Sequence, residues 1–207
     1  LLVDSIGVKQ ARYVAIDRWN AADLDGILHK CVETLGFPMF VKPCASGSSL
    51  GITKATDEET LRRGILLALE HDTRVLVEEF INARELECAV IDDGKTLAAE
   101  VGEVIAADEF YDFDSKYNNA ASVTNTHPDI PAELEERIRE SAKAIFRVLN
   151  CRSLSRVDFF LDRDTGELIF NEINTLPGFT NISMYPMLAA KHGLDLPALI
   201  TTLIESV

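Results

Sequence analysis

The chain has 207 residues, 47% of them hydrophobic and 26% charged, a composition typical of a globular protein of one or two domains. Its net charge of −14 argues against nucleic acid as the main partner, because binding a phosphate backbone requires a basic face. No apolar run approaches the roughly 18 to 20 residues that span a membrane, and no signal-peptide pattern is present, so we expect a cytoplasmic protein without a membrane partner.

The first half of the chain alternates helix and strand patterns. Apolar residues at helical spacing predict a helix that ends at Gly36 and Pro38, and residues 39–42 follow as a strand. Asp57 is expected to cap a second helix, and residues 74–80 are rich in β-formers. The apolar residues expected on the buried sides are Leu24, Ile27, Leu28, Val32 and Leu35 in the first helix and Leu61, Ile65, Leu66 and Leu69 in the second.

The segment VKPCASGSSLGI, residues 41–52, follows the first of these strands. Its lysine precedes both glycines, whereas the lysine of a Walker loop follows the second glycine. Glycines let backbone N–H groups approach a ligand closely, and the serines add hydroxyl donors. Two interpretations stay open, a phosphate-binding loop and a flexible surface turn. The residues that would face a phosphate are Lys42, Ser46, Gly47, Ser48, Ser49 and Gly51.

The second half predicts an antiparallel sheet and a long helix. Two strands surround a turn at residues 92–94, and residues 107–129 show almost no periodicity, which is typical of a functional or disordered loop. Pro131 opens a helix that runs through Leu149, with Leu134, Ile138, Ala142 and Ile145 also on its buried side. A hairpin around RDTG and two short helices follow, so the fold class is α+β with mainly antiparallel strands.

The hairpin brings acidic residues together. Alternation puts Arg156 and Asp158 on one face of the first strand, and Glu172 and Asn174 on one face of the second. With the turn centred on Thr165, Asp158 falls opposite Glu172, where cross-strand Cβ atoms lie about 5 Å apart. Such carboxylates repel unless a cation lies between them, and their oxygens suit Mg²⁺. The alternative is a solvated polar face.

Five motifs together resemble the D-alanine–D-alanine ligases, members of the ATP-grasp family. They are FVKPCASGSSLG, VLVEEFINARELE, FYDFDSKY, SRVDFF and FNEINTLPGFTNIS, in the order and at the spacing of that family. The resemblance covers nearly the whole chain. It implies two α+β subdomains, residues 1–78 and 79–207, that hold ATP between them.

The resemblance also implies roles for individual residues. The nucleotide would be bound by Lys42, the glycine loop including Ser46, Gly47, Ser48, Ser49 and Gly51, the adenine-binding stretch Glu78, Glu79, Phe80 and Ile81, the ribose-binding Glu85, the mobile-loop Lys116, and Phe170 and Asn171. Two Mg²⁺ ions, or Mn²⁺ in their place, would be held by Asp158, Glu172 and Asn174.

The implied reaction has two steps. The carboxylate of one D-alanine attacks the γ-phosphorus of ATP to give an acyl phosphate, and the amine of a second D-alanine displaces phosphate. Arg156 and the backbone N–H of Gly178 resemble the oxyanion stabilisers of the family. Lys116 would reach the γ-phosphate, and Tyr117 would form a hydrogen-bonded relay with Ser48. Ser183 and Met184 would face the carboxylate of the second substrate near a helix start.

Two departures from the family pattern matter. Family members carry a preceding domain of about a hundred residues, so we expect this chain to be a fragment with little activity alone, from a protein that is a homodimer at full length. The acceptor segment reads TNIS where TSHS is commoner. A D-alanine–D-serine ligase of the vancomycin-resistance type therefore stays open, as do the ATP-grasp half of another carboxylate–amine ligase and a non-catalytic ATP-binding module.

Overall fold

The structure is a computed structural model, and it describes residues 1–45, 50–94, 97–105, 123–180 and 182–206. The described chain divides into two compact units. The first unit contains residues 11–81, and the second contains residues 1–10, 82–105 and those that follow residue 122. No helix in these described ranges is both long and apolar enough to cross a membrane.

The first unit is a four-stranded sheet with two helices. Its strands are β1 (Tyr13–Asp17), β2 (Met39–Pro43), β3 (Thr53–Ala55) and β4 (Arg74–Glu79), and its helices are α1 (Leu24–Leu35) and α2 (Glu58–His71). The strand order is β1-β4-β2-β3, and every pair is antiparallel. A short 3₁₀ helix, Asn20–Asp23, precedes α1.

Local sequence signals set the ends of both helices. Asp23 accepts a hydrogen bond from Gly26 N at the start of α1, and Gly36 follows its end with a φ of 72°. Asp57 and Thr60 form a capping box on α2, as the sequence predicted for Asp57. Leu66 is an exception to the predicted buried side of α2, because 51% of it is exposed.

The two helices cover one face of the first sheet. Alternation along β2 buries Met39 and Val41 in the core with residues of α1 and α2. Phe40 and Lys42 therefore lie on the opposite face, which these helices leave uncovered.

The second unit is a five-stranded antiparallel sheet. Its strands are β5 (Ala83–Asp92), β6 (Leu97–Ile105), β7 (Val123–Asn125), β8 (Leu154–Asp162) and β9 (Leu168–Asn174), in the order β7-β6-β5-β8-β9. Its helices are α3 (Ala132–Val148), α4 (Met184–Lys191) and α5 (Leu196–Glu205), with a 3₁₀ helix at Asp4–Ile6. The β7 strand lies inside the stretch that we predicted to be irregular.

The core of the second unit lies between the sheet and α3. Ile138, Ala142 and Ile145 of α3 pack there against Leu86 and Val157 of the sheet, which confirms the predicted buried side of this helix. The helix begins one residue after Pro131 and ends one residue before Leu149.

Residues 1–10 pack with the second unit, although the sequence placed them in the first. Phe170 N donates a hydrogen bond to Lys9 O at 2.8 Å, Gln10 forms a parallel bridge with Phe170, and Val3 lies in the core with α3. The division between the units also falls after Ile81 rather than after Glu78. Pairing between segments far apart in sequence decides both points, and local patterns carry no information about it.

Candidate active site

The uncovered face of the first sheet carries a pair of opposite charges beside an aromatic pair. Lys42 Nζ lies 2.5 Å from Glu78 Oε2, and both side chains are largely buried. The rings of Phe40 and Phe80 are 6.0 Å apart, and Lys54 Nζ lies 4.6 Å from the centre of the Phe80 ring. The structure thus brings together Lys42, Glu78 and Phe80, three residues assigned to the nucleotide from the sequence.

Phe40 and Lys54 belong to the same group, and the sequence reasoning missed them. Phe40 could have been found, because it lies two residues before Lys42 and so shares its strand face. Lys54 could not, because its position opposite Phe40 depends on the β2–β3 pairing.

Glu79 and Ile81 flank this group. The Glu79 carboxylate accepts hydrogen bonds from Arg12 N at 2.8 Å and Arg12 Nε at 2.7 Å, and Arg12 also donates to Thr34 O at 2.7 Å. Arg12 therefore links the Glu79 carboxylate to the end of α1. Ile81 is partly buried.

Both described ends of the glycine-rich segment lie close to the end of α2. Ala45 N donates to Asp72 Oδ2 at 2.5 Å. Gly51 has a φ of 77°, and a Cβ there would lie 2.7 Å from His71 Cδ2 and 3.0 Å from Pro43 Cγ. Only glycine fits that position without strain. The remaining predicted residues of this segment and of the later loop lie outside the described residues: Ser46, Gly47, Ser48, Ser49, Lys116 and Tyr117.

These contacts change the pKa of the Asp72 carboxyl. Burial, which alone would raise the pKa of the Asp72 carboxyl, is outweighed by hydrogen bonds from the backbone of Ala45 and Arg74, so its pKa is lowered. The carboxylate is therefore the stable form that holds Ala45 in place.

The second unit aligns three carboxylates across adjacent strands. Glu87 on β5 is directly opposite Asp158 on β8, and Asp158 is directly opposite Glu172 on β9. Asp158 is buried, whereas Glu172 is exposed. The pairing of Asp158 with Glu172 confirms the prediction from the hairpin, while Glu87 was not predicted.

The pairing of Asp158 with Glu172 depends on a β-bulge. Near the turn, Phe159 pairs with Phe170, and the next pair along the hairpin is Asp158 with Glu172. One residue, Asn171, is therefore extra on β9. Without this bulge Asp158 would face Asn171, and Glu172 would move away from it.

Arg156 and Asn174 bind the carboxylates of this row. Arg156 donates from Nε to Asp158 Oδ1 and from Nη2 to Asp158 Oδ2, each at 2.8 Å, and its Nε lies 3.2 Å from Glu87 Oε2. Asn174 Nδ2 donates to Asp158 Oδ2 and to Glu172 Oε1, each at 3.0 Å. All four residues predicted for this place therefore meet there.

The charge of Arg156 is strongly stabilised. Burial alone would lower the pKa of its guanidinium, but hydrogen bonds to Asp158 and the charges of Glu87 and Glu172 raise that pKa above its ordinary value. Arg156 Nε and Nη2 both donate to Asp158, whereas no hydrogen bond from Nη1 is found in the described part of the chain. That nitrogen can thus donate to a bound anion.

The donors in this row fit a hard divalent cation. Asp158 and Glu172 offer carboxylate oxygens, the ligands that Mg²⁺ takes together with water and phosphate oxygens. Asn174 bonds to both carboxylates through Nδ2, so its amide group would have to turn to offer its oxygen to a cation. The exposure of Glu172 leaves one side open to such ligands. Over the described ranges, no three His, Cys, Asp or Glu side chains gather as a metal cluster, so the third donor would be the Asn174 amide.

Gly178 and Ser183 lie next to each other before α4. A Cβ on Gly178 would lie 2.9 Å from Ser183 Oγ, and that oxygen accepts a hydrogen bond from Thr180 N at 3.1 Å. Met184 begins α4, but its side chain is buried against Gly102 of β6. Only the backbone N–H of Met184 is therefore suited to face a carboxylate.

Three further predicted residues lie on the second sheet. Glu85 is on the same strand face as Glu87, since the two are separated by one residue of β5. Phe170 is buried in the core beside α3, with its ring 6.2 Å from that of Phe159. Its side chain thus lies away from the carboxylate row. Asn171 is the bulged residue.

Comparison with known proteins agrees with this arrangement. The family model described as D-ala D-ala ligase C-terminus matches residues 2–205. The D-alanine–D-alanine ligase of Acetivibrio thermocellus is 43% identical over 206 residues, which are 99% of this chain and 55% of that protein. The chain therefore spans about half the length of the curated relatives it matches.

Two solved structures are similar over 99% of the chain. The VanG D-Ala:D-Ser ligase of Enterococcus faecalis aligns with a TM-score of 0.86 and 38% identity over 59% of its own length. The D-alanine–D-alanine ligase of Bacillus anthracis complexed with ATP aligns with a TM-score of 0.78 and 26% identity over 63% of its length. With its two antiparallel sheets and the matching family model, the chain belongs to the D-alanine–D-alanine ligase C-terminal family and has the ATP-grasp fold.

Proposed function

We propose that this chain is the ATP-binding and ligating part of a D-alanine–D-alanine ligase that makes a precursor of peptidoglycan. The observation that carries the proposal is the meeting of Arg156, Asp158, Glu172 and Asn174 on one sheet face. An arginine beside a carboxylate pair and an amide can serve phosphoryl transfer, where positioning and charge stabilisation supply most of the catalysis.

Each unit by itself carries residues that we propose as nucleotide ligands. In the first unit, Lys42 supports the assignment to phosphate, because Glu78 fixes its position at the end of a strand. Phe40 and Phe80 offer apolar surface for the base. In the second unit, Glu85 is the proposed ribose ligand. Two bound Mg²⁺ ions, or Mn²⁺ in their place, would neutralise phosphate charge, and Asp158, Glu172 and Asn174 would hold them.

Arg156 and Gly178 would donate hydrogen bonds to the oxygen of the reacting carbonyl. Arg156 Nη1 can donate to the oxygen on which negative charge develops when the amine attacks the acyl phosphate. The backbone N–H of Gly178 is the proposed second donor. The start of α4 at Ser183 and Met184 would bind the carboxylate of the acceptor, since the N-terminal end of a helix favours an anion.

D-Serine is a second candidate for the acceptor. The similarity to the VanG D-Ala:D-Ser ligase supports it, whereas the curated relatives named D-alanine–D-alanine ligase support D-alanine. All four cysteines are free, which fits action in the reducing cytoplasm. A homodimeric full-length protein stays a prediction.

The test uses the full-length gene product and two matched variants. Glu172→Gln removes one proposed metal ligand, and Asp164→Asn makes the same kind of change at the turn of the same hairpin. We expect calorimetry to show ATP binding that requires Mg²⁺, weakened at least about ten-fold by Glu172→Gln and unchanged by Asp164→Asn. Phosphate release from ATP should require D-alanine.

The outcomes separate the candidates. A dipeptide of D-alanine supports the main proposal, and preferential incorporation of D-serine supports the second candidate. Nucleotide binding without turnover would identify a non-catalytic module. If Glu172→Gln and Asp164→Asn bind ATP equally well, the hairpin carboxylates are not metal ligands.

A further inference from the structure

Glu87 is a carboxylate of the site face that received no role from the sequence, although it is the last residue of the motif VLVEEFINARELE. It lies in the middle of β5, where its neighbours across the sheet are Gly102 on one side and Asp158 on the other. Its side chain is only 15% exposed. Its Oε2 lies 3.2 Å from Arg156 Nε, so Arg156 is in contact with carboxylates from two different strands.

The position of Glu87 matters because Asp158 would have to bind both Arg156 and a metal ion. Both Asp158 oxygens accept hydrogen bonds from Arg156, and Oδ2 accepts a further one from Asn174. A divalent cation on Asp158 would compete for the same lone pairs, of which a carboxylate has about four. The hydrogen bonds between Asp158 and the guanidinium would therefore weaken when a cation binds.

Glu87 is placed to bind the Arg156 guanidinium when Asp158 binds it less strongly. It reaches the guanidinium at Nε, so it can keep the charge of Arg156 paired without using Nη1. A carboxylate row across three strands is repulsive by itself. Arg156 contacts Glu87 and Asp158 directly, and the charge of Glu172 also raises the pKa of its guanidinium. The negative charge of Glu87 therefore stabilises the guanidinium of Arg156 in its present position.

We propose that Glu87 is a positioning residue that keeps Arg156 in place when Asp158 binds a metal ion. The proposal rests on the function proposed above. Its consequence for the reaction is that Nη1 stays directed at one place while the cation is bound. A displacement of about 1 Å at such a group can slow a reaction by about a hundred-fold.

The sheet also provides a control for a merely structural ion pair. Glu103 on β6 pairs with Arg84 on β5, with hydrogen bonds of 2.6 and 2.8 Å from Nε and Nη2. The Glu103 side chain is 10% exposed, similar to Glu87. Arg84 lies an odd number of residues from Glu87 on the same strand, so the two point to opposite faces of the sheet.

The experiment compares Glu87→Gln, Glu87→Asp and Glu103→Gln in the full-length gene product. We expect Glu87→Gln to lower kcat about ten- to a hundred-fold with little change in the KM for ATP. Glu87→Asp should recover part of this loss, because it keeps the charge. Glu103→Gln should lower the unfolding temperature and leave kcat unchanged.

A second readout is independent of turnover. In protein labelled with ¹⁵N-arginine, the Nε–H signal of Arg156, assigned by its loss in Arg156→Lys, should exchange slowly with water when Mg²⁺ and a non-hydrolysable ATP analogue are present. It should exchange faster in Glu87→Gln and stay slow in Glu103→Gln. If Glu87→Gln leaves both kcat and this signal unchanged, the proposal is wrong.

These two readouts separate this inference from the proposed function. Absence of D-alanine-dependent phosphate release in the unaltered protein would contradict the function, while the Arg156 signal would still decide the role of Glu87. Equal losses of kcat in Glu87→Gln and Glu103→Gln would show that any lost ion pair has this effect, and that result would also overturn the positioning role.

Discussion

Replacing Arg156 by methionine should destabilise the second unit. The substitution removes the charge and keeps most of the side-chain volume, so Glu87, Asp158 and Glu172 face each other without their cation. Breaking a buried ion pair from one side costs about 3–5 kcal/mol. Arg156 is 17% exposed and Asp158 11%. Because water screens part of this interaction, we expect a loss of about 2–3 kcal/mol.

The matched control is Arg62→Met in the first unit. Arg62 is 45% exposed and its partner Asp25 is 84% exposed, so this surface pair should contribute less than about 1 kcal/mol. Native-state hydrogen exchange at the amides of β8, and of α2 for the control, measures the free energy of opening in each unit separately. Added Mg²⁺ should restore stability to Arg156→Met more than to the unaltered protein, since the carboxylates then lack a cation.

Two results would refute this reasoning. A loss in Arg156→Met no larger than that in Arg62→Met would mean that the carboxylate row is well solvated. A large loss that Mg²⁺ does not reduce would mean that Asp158 and Glu172 do not bind a divalent ion.

Two further predictions concern packing and pH. Gly102→Ala would place a Cβ 2.6 Å from Met184 Sδ and should lower the free energy of unfolding, measured by chemical denaturation, by about 1–3 kcal/mol. Adding Met184→Ala to this variant should recover part of that loss. If it recovers none, the clash is not with Met184. Asp72→Asn should destabilise the first unit at neutral pH, because the Asp72 pKa is lowered on folding. A carboxyl whose pKa is lowered in the folded state stabilises that state at pH values above its unfolded pKa, and this stabilisation is lost as the pH falls through its folded pKa. The denaturation midpoints of Asp72→Asn and the unaltered protein should therefore converge in acid. A difference between the midpoints that does not change with pH would contradict this.

The helix ends and the hairpin were predictable because their signals are local. Asp57 caps its helix through the residues that follow it directly, and the run from Leu24 to Leu35 shows its period within one segment. The pairing of Asp158 with Glu172 needed only a turn position and strand alternation. The prediction of that pair was correct although the bulge at Asn171, on which it depends, was not foreseen.

The motifs determined the family, and the structure determined which side chains meet. Glu87 is separated from Arg156 by most of the second unit, and Lys54 reaches Phe80 only through the order of strands in the first sheet. Residues 1–10 likewise join the second unit by pairing with β9. Periodicity and capping describe what a segment forms by itself. Partners across a sheet are chosen by burial and register over the whole unit, so only the tertiary structure added Glu87 to the predicted pair of carboxylates beside Arg156.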